Sequence, residues 1–265
     1  QPTPLQAAIN STGNVSCNGF SDGWAEVGPS GGTVPYTYVW DNGAGSQVLA
    51  TNLVAGTYTV TVTDANQCIT TATVTITEPT PLALTSTTVN VDCFGNCNGS
   101  ANVLVSGGSG GNTYQWNDPT FAITAAVNNL CAGIYTCIIT DVNGCEIFET
   151  VNITQPTQIG MSVSITDANC GFDNGSACVN IFGGTTPYVY QWNDALAQTT
   201  ACASNLFANC YDVTVTDGNG CFEDSVICLD DIEGPTVTFI TSSDVTCFGD
   251  QDGTMQYAVT GGTGV

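Results

Sequence analysis

The sequence predicts an all-β chain, a tandem array of small immunoglobulin-like (Ig-like) β-sandwich domains stabilised by disulfides. Three observations lead to this fold class. Apolar and polar residues alternate with a period of two, the same motifs return at a regular interval along the chain, and 14 cysteines occur in a chain without histidine. Such alternation is typical of half-buried antiparallel strands, and a fixed period indicates a repeat architecture.

The repeat is clearest in its cysteines and tryptophans. Trp40, Trp116 and Trp192 are equally spaced, and the first cysteines of the repeats recur at nearly the same interval, at Cys17, Cys93, Cys170 and Cys247. The pattern is interrupted at both ends, so we expect a piece of a longer array. The expected domains are Ig-like repeats at 1–77, 78–154 and 155–233, followed by the truncated start of a fourth at 234–265.

Within one repeat the strands can be read from the period of two. Tyr36, Tyr38 and Trp40 alternate with Thr37 and Val39, and Tyr58 and Val60 alternate with threonines. Glycine, asparagine and aspartate mark turns every 8–12 residues, which gives six or seven short strands. An Ig-like sandwich of this size places Trp40 in the core and makes Tyr58 a candidate corner tyrosine.

The charge composition excludes several kinds of partner. The chain has no lysine and no arginine, and 23 aspartates and glutamates give a formal net charge of −23. Phosphate binding needs basic side chains, so nucleic acid is not expected as a partner, and anionic membranes should repel the chain. No apolar run approaches the ~20 residues of a membrane helix, so we expect no direct membrane insertion in this segment.

The same composition argues against an enzyme. Histidine, the commonest general acid and base, is absent, as are lysine and arginine. Paired carboxylates alone can hydrolyse glycosides, but the aspartates here recur at turn positions in every repeat, which indicates a structural role. We therefore predict no catalytic residues and no required cofactor.

Cysteines without histidine indicate disulfides in an oxidising, extracellular setting. Each complete repeat has one cysteine before its second strand and one after its penultimate strand. We predict that these two cysteines form a disulfide within each domain, because the small core of a domain of about 77 residues is only marginally stable without a covalent cross-link. The predicted pairs are Cys17 with Cys68, Cys93 with Cys145, and Cys170 with Cys221.

The other cysteines leave alternatives open. Cys178 and Cys228 occupy outward strand positions, where they could bridge two strands or two molecules, and Cys202 and Cys210 flank a loop that they could close. Cys137 replaces the core residue Val60 of the first repeat, which favours a buried free thiol at this position. Cys97 and Cys131 complete the odd set of the second repeat, and an odd count is also compatible with a covalent link between chains.

Calcium is the candidate ligand of the acidic turns, since oxygen ligands from two adjacent loops suit this ion. If Cys17 joined Cys68, the turn at Asp22 would lie near the turn at Asp64. The alternative is that aspartate and asparagine simply form Asx turns. The candidate ligands are Asp22, Asp64, Asn66, Asp141, Asn143, Asp217, Asn219, Asp250 and Asp252.

The order of several motifs resembles a known family. Cys-x-Gly-x-x-Asp-Gly at 17–23 is followed by Gly-Gly-Thr-x-Pro-Tyr-x-Tyr-x-Trp at 31–40 and by Gly-Thr-Tyr-Thr-Val-Thr-Val-Thr-Asp-Ala-Asn-x-Cys at 56–68. This resembles the SprB repeat of large surface adhesins in gliding Bacteroidota. The resemblance implies type IX export, long threads at the outer membrane, and roles in adhesion or gliding motility.

Two functions follow as expectations. The first is a structural segment of a long, polyanionic cell-surface filament or adhesin stalk, anchored at the outer membrane or shed, whose partners are other copies or neighbouring repeats. The second is a Ca²⁺-dependent adhesive module that binds surface glycans or another surface. Its candidate binding segments are the variable stretches 43–52, 118–129 and 194–205, together with Trp24, which has no aromatic counterpart in the other repeats.

Overall fold

The computed structural model describes residues 3–249 and 251–262, and every regular element in that part of the chain is a β-strand. No helix among these residues could span a membrane. The first repeat contains β1 (Gln6–Gly13), β2 (Gly23–Ser30), β3 (Thr37–Trp40), β4 (Leu49–Leu53), β5 (Gly56–Thr63) and β6 (Ile69–Ile76). The second contains β7 (Ala83–Val89), β8 (Gly99–Ser106), β9 (Thr113–Trp116), β10 (Ala126–Leu130), β11 (Gly133–Thr140) and β12 (Glu146–Ile153).

The third repeat has the same six strands and two additional short ones. They are β13 (Gly160–Thr166), β14 (Ala168–Asn169), β15 (Gly175–Phe182), β16 (Val189–Trp192), β17 (Cys202–Leu206), β18 (Cys210–Thr216), β19 (Phe222–Cys228) and β20 (Asp231–Ile232). β14 and β20 pair in parallel. In the described part of the fourth repeat, β21 (Thr236–Ser243) and β22 (Thr254–Thr260) form an antiparallel pair.

Each complete repeat is a sandwich of two three-stranded antiparallel sheets. In the first repeat the sheet orders are β1-β2-β4 and β3-β5-β6, and the second and third repeats reproduce them strand for strand. Strands β5 and β2 show the alternating burial that their sequences predict, with one face inward and one outward. The predicted fold class, a disulfide-stabilised tandem array of Ig-like sandwiches, is therefore confirmed.

The core of each sandwich is formed by both sheets. In the first repeat Trp40 and Val60 come from one sheet and Val27 from the other, and all three are buried. The Trp40 indole Nε1–H donates to the Gln47 carbonyl at 2.9 Å. The Tyr58 hydroxyl donates to the carbonyl of Val54 at 3.1 Å, so Tyr58 is a corner tyrosine, as predicted.

The direction of the strands decides which loops share an end of the sandwich. β3 is antiparallel to β5, β4 is antiparallel to β2, and the start of β2 lies beside the end of β6. As a result β3 and β4 run in the same direction and together make a single crossing of the domain. The loop after β1 and the loop after β5 consequently lie at opposite ends.

The contacts divide the chain into two compact units, residues 1–90 with 97–154, and residues 91–96 with 155–265. The segment 91–96 belongs to the second repeat by sequence, but it groups with the third repeat. The domain boundaries set from the sequence stay a prediction.

Candidate functional site

Each complete repeat carries a tight turn between its last two long strands, which we call the receptor turn (residues 64–68, 141–145 and 217–221). In the first repeat the Asp64 carboxylate accepts backbone N–H groups from Asn66, Cys68 and Thr33 at 2.8–2.9 Å. The second repeat reproduces this pattern around Asp141 and the third around Asp217. An Asx turn with three backbone donors is a rigid support for the cysteine that ends it.

These hydrogen bonds also set the charge state of the turns. Burial acts to raise the pKa of Asp64, but the N–H groups of Cys68, Thr33 and Asn66 outweigh it and hold the pKa below its usual value. For Asp141 the N–H group of Ser109 is the largest cause of a lowered pKa. These two turns are therefore fixed anions at neutral pH.

A second recurring element is the loop after the first strand, which we call the first-cysteine loop (residues 16–20 and 92–96). In the first repeat Phe20 N–H donates to the Cys17 carbonyl at 3.1 Å, and Gly19 adopts a positive φ of 78°. The Gly19 N–H donates to the Glu78 carboxylate at 2.6 Å, in the joint that leads into the next repeat. Gly95 donates in the same way to the side chain of Gln155 at 2.9 Å.

The first-cysteine loop of one repeat is bonded to the receptor turn of the next. Cys17 forms a disulfide with Cys145, with 5.6 Å between their Cα atoms. Beside it the Asn143 side-chain amide donates to the Ser16 carbonyl at 3.0 Å.

The second junction repeats the first. Cys93 forms a disulfide with Cys221, again with 5.6 Å between the Cα atoms, and the Asn219 amide donates to the Asp92 carbonyl at 3.0 Å. Each disulfide spans 128 residues of sequence. Consecutive repeats are thus joined twice, by the main chain and by the disulfide between the first-cysteine loop of one repeat and the receptor turn of the next.

The predicted pairs Cys17–Cys68, Cys93–Cys145 and Cys170–Cys221 are therefore wrong. Val15, next to the first-cysteine loop, donates to the Thr77 carbonyl just after β6, whereas Cys68 immediately precedes β6. An eight-residue strand covers about 26 Å, and disulfide formation needs Cα atoms within about 7 Å. Cys68, Cys170 and Cys247 are exposed and unpaired in the described chain.

The repeat-specific cysteines form cross-links within repeats. Cys178 pairs with Cys202, directly opposite on β15 and β17, and Cys210 pairs with Cys228, directly opposite on β18 and β19. Cys178 and Cys228 therefore each bridge two strands, while closure of a loop by Cys202 with Cys210 is wrong. In the second repeat, Cys97 pairs with Cys131.

Cys137 is a free thiol in the described chain and is fully buried in the second core. Burial raises the pKa of its thiol, so the reactive thiolate is disfavoured at neutral pH. The buried free thiol is one of the alternatives that the sequence left open for the odd cysteine of the second repeat.

The structure does not bring the candidate Ca²⁺ ligands of one repeat together. Asp22 accepts the Ser16 N–H at 3.0 Å, at the end of the sandwich away from Asp64. Within residues 3–249 and 251–262 no group of three or more acidic or cysteine side chains is arranged to hold a metal ion. Asp252 accepts the Thr246 N–H at 3.0 Å, and Asp250 lies outside the described residues. The proposed proximity of Asp22 and Asp64 depended on the Cys17–Cys68 bond and is wrong with it.

Two further aspartates have a structural role that the sequence reasoning missed. Asp118 and Asp194 are buried, and each caps the turn after the tryptophan strand of its repeat. Asp118 accepts N–H groups from Thr120 and Ala122, and Asp194 accepts the N–H of Gln198 at 2.9 Å. Their position two residues after the recurring tryptophan was the available signal.

The surface of the first repeat has a groove beside an aromatic side chain. Trp24 is paired with Gly13 in register, and its indole occupies the space where a Cβ at position 13 would lie. The groove is lined by Ser11, Asp22, Trp24, Glu26, Leu49, Thr51 and Asn52. A half-exposed indole beside carboxylates is the kind of surface that can stack a sugar ring.

Comparison with solved structures gives weak overlays on Ig-domain chains. Sidekick-1 immunoglobulin domains 1–5 align at 12% identity and a TM-score of 0.34, covering 86% of this chain and 59% of that one. Drosophila OTK extracellular domains 3–5 align at 13% identity and a TM-score of 0.32, covering 75% of this chain and 86% of that one. The sandwich fold is shown by the strand pairing and by the buried cores of the repeats. No curated protein matches the chain.

A sequence profile of the SprB repeat matches the chain four times, at residues 9–45, 85–121, 162–197 and 240–265. Each match includes the first cysteine of its repeat, so the loop that forms the junctions is part of the family pattern. The segment is of the extracellular adhesin type, consistent with its disulfides. Since the four matches together cover just over half of the residues, the chain belongs to the SprB-repeat family.

Proposed function

We propose that the chain is a structural segment of a long, polyanionic stalk or filament at the cell surface, and that it has no catalytic role. The observation that carries this proposal is the pair of cross-repeat disulfides, Cys17–Cys145 and Cys93–Cys221. A staple confined to one domain would stabilise that domain only. A staple between consecutive domains also restrains the joint, which is what a spacer under tension requires.

The charge of the chain supports the same function. All ionised side chains are anionic, at a formal net charge of −23, so successive repeats repel one another. Repulsion between exposed charges acts over roughly 8 Å at physiological salt. This repulsion favours an extended array and opposes lateral association of chains. The disulfide-bonded loops hold neighbouring repeats together against it.

Small-angle X-ray scattering of the oxidised chain at low and high salt tests the proposal. Each repeat should add roughly 30–40 Å, from strand lengths of ~17–20 Å plus loops and a joint. We expect a radius of gyration well above the ~18 Å of a compact protein of this length, and little change with salt. A value as small as that of the compact protein would contradict the stalk. The matched variant replaces all four junction cysteines by serine, and its dimensions should vary with salt.

The groove at Trp24 favours a second candidate function, adhesion to a glycan. The indole, Asp22 and Glu26 offer a stacking surface and hydrogen-bond acceptors in one place. Isothermal titration of cell-surface polysaccharide into the chain, with and without EDTA, tests binding and its dependence on Ca²⁺ by the heat released. Trp24→Ser introduces the residue of the second and third repeats and should abolish the signal. Ile69→Ser, on the exposed face of β6, should leave it unchanged. A flat titration with the unsubstituted chain would exclude this function for these repeats.

A further inference from the structure

Three receptor turns lie in the described part of the chain, and two of them are occupied. The turns that end in Cys145 and Cys221 each hold the first-cysteine loop of the preceding repeat. The turn that ends in Cys68 has the same sequence pattern, yet Cys68 is an exposed free thiol. The occupied turns therefore show what kind of ligand the third one is built to take.

The unoccupied turn already has the geometry of the occupied ones. The Asn66 amide donates to the Thr33 hydroxyl at 2.9 Å, as Asn143 does to Ser109 at 2.8 Å. In the occupied turn the same Asn143 nitrogen also donates to the carbonyl of the seated loop, at 3.0 Å. Asn66 has this second proton available among the contacts of the described residues. No rearrangement of the turn is needed before a loop can bind.

The chain also shows what the ligand looks like. The seated loop of the second repeat reads Cys-Phe-Gly at 93–95, and the fourth repeat carries the same three residues at 247–249. Cys247 is exposed and unpaired in the described chain. A glycine with positive φ follows each of these cysteines by two residues, Gly95 and Gly249. A free loop cysteine and a free receptor turn thus coexist in one chain.

We propose that the turn 64–68 is a covalent docking site for the first-cysteine loop of another SprB repeat. Asn66 binds the carbonyl of the residue before the incoming cysteine, and Cys68 then forms a disulfide with that cysteine. The occupant is defined by its chemistry, a Cys-x-Gly loop held in the conformation of residues 16–20. This inference does not depend on the stalk function, because it follows from the geometry of the junctions alone.

The covalent step is a thiol–disulfide exchange. The Cys68 thiolate attacks an incoming loop cysteine that is held as a mixed disulfide with a small thiol. The new Sγ–Sγ bond forms, the old S–S bond breaks, and the small thiol leaves as its thiolate with the electron pair. When both cysteines start as thiols, a small-molecule disulfide such as oxidised glutathione accepts the two electrons and yields two thiols.

The test uses the full chain with Cys170 and Cys247 replaced by serine, which leaves Cys68 as its exposed thiol. The probe is a synthetic peptide of residues 14–22 whose cysteine carries thionitrobenzoate, so that release of the chromophore reports the exchange. We expect Cys68 to react about tenfold faster with this peptide than with a scrambled one, the advantage that one or two hydrogen bonds supply. Equal rates would overturn the proposal.

Two variants make the test specific. Asn66→Ala should reduce the rate with the loop peptide to that of the scrambled peptide, whereas Asn219→Ala, the same change in an occupied turn, should leave it unchanged. A chain in which Cys170 is the exposed thiol, with Cys68 and Cys247 replaced by serine, should not distinguish the peptides. If Cys170 also reacted about tenfold faster with the loop peptide than with the scrambled peptide, the rate difference would be a property of the peptide. The turn 64–68 would then not be a docking site.

The source of the loop is found by oxidising a mixture of ¹⁴N- and ¹⁵N-labelled chains with oxidised glutathione. Mass spectrometry of an Asp-N digest then shows whether Cys68 is bonded to Cys247 of a second copy. If this pair forms, the occupant is a second copy. If Cys68 accepts the peptide but does not bond to Cys247, a second copy is excluded as the source of the loop.

Discussion

Cys17 and Cys145 are bonded although 128 residues separate them, because the loop that carries Cys17 lies against the next repeat and not against the far end of its own. In the chain-entropy model a loop of this length stabilises the folded state by roughly 5 kcal/mol, and measured values are often smaller. The bond makes the stability of one repeat depend on its neighbour.

Removing this bond should therefore weaken two repeats at once. We expect the double variant Cys17→Ser with Cys145→Ser to lower the free energy of unfolding by about 2–4 kcal/mol in urea titrations. The control, Cys68→Ser with Cys170→Ser, removes two exposed free thiols and should be neutral. Equal destabilisation by both pairs would mean that the bonds lie within repeats after all.

The free thiols should differ sharply in accessibility. Cys68, Cys170 and Cys247 are exposed, whereas Cys137 is fully buried and its pKa is raised by burial. A thiol reagent such as dithionitrobenzoate should modify three thiols in the native protein and a fourth after denaturation. Rapid modification of Cys137 in the native protein would contradict its place in the core. The variant Cys137→Ser should lose only the thiol that reacts after denaturation.

The corner tyrosines should each contribute a measurable hydrogen bond. Tyr135 donates to the Cys131 carbonyl at 3.1 Å, as Tyr58 does to Val54. Tyr135→Phe removes only the hydroxyl and should cost about 0.5–1.5 kcal/mol in thermal or urea unfolding. Tyr114→Phe, on the neighbouring strand β9, is the matched control and should be close to neutral. If Tyr135→Phe did not change the free energy of unfolding, water would be satisfying the Cys131 carbonyl in place of the tyrosine hydroxyl, and the predicted contribution would be absent.

The buried Asp118 should make stability depend on pH in a defined direction. Burial acts to raise its pKa, but hydrogen bonds from Thr120 and Ala122 outweigh it and hold the pKa below the usual value. A lowered folded-state pKa stabilises the fold fully above the unfolded value of about 3.9, and this contribution is lost as pH falls through the folded value. Asp118→Asn should thus be destabilising at pH 7 and progressively less so below about pH 4.

The control for this pH series is Asp173→Asn, which removes the same charge from an exposed position. Because both variants relieve the same overall repulsion, the difference between their urea midpoints isolates the turn at Asp118. A difference that does not shrink toward acid would exclude the ionised carboxylate as its cause.

Most of the fold can be predicted from the sequence. The period of two locates the strands, the recurring tryptophans mark the core, and the place of Tyr58 at the start of a late strand identifies it as a corner residue. These features depend on local alternation and on residue type. They can be read without knowing how the strands are connected in space.

The disulfide pattern could not be read in the same way. In so regular an array, pairing within a repeat and pairing with the next repeat are equally periodic. What decides between them is that β3 and β4 run in the same direction and make one crossing, which moves the loops at Cys17 and Cys68 to opposite ends. The expected proximity of Asp22 and Asp64, on which the Ca²⁺ hypothesis depended, is wrong for the same reason.

The two junction disulfides interleave along the sequence, since Cys93 lies inside the segment closed by Cys17 and Cys145. From Cys17 to Cys221 the main chain runs 204 residues (221 minus 17), but a shorter bonded route crosses to Cys145, returns to Cys93 and crosses again. That route contains 52 residues (145 minus 93), or about 180 Å when fully stretched, against about 700 Å for the main chain. If force unfolded every sandwich between Cys17 and Cys221, the bonded route would be fully stretched at about a quarter of the contour length of the main chain. The force would then pass through the middle repeat from Cys145 back to Cys93, against the direction of the chain.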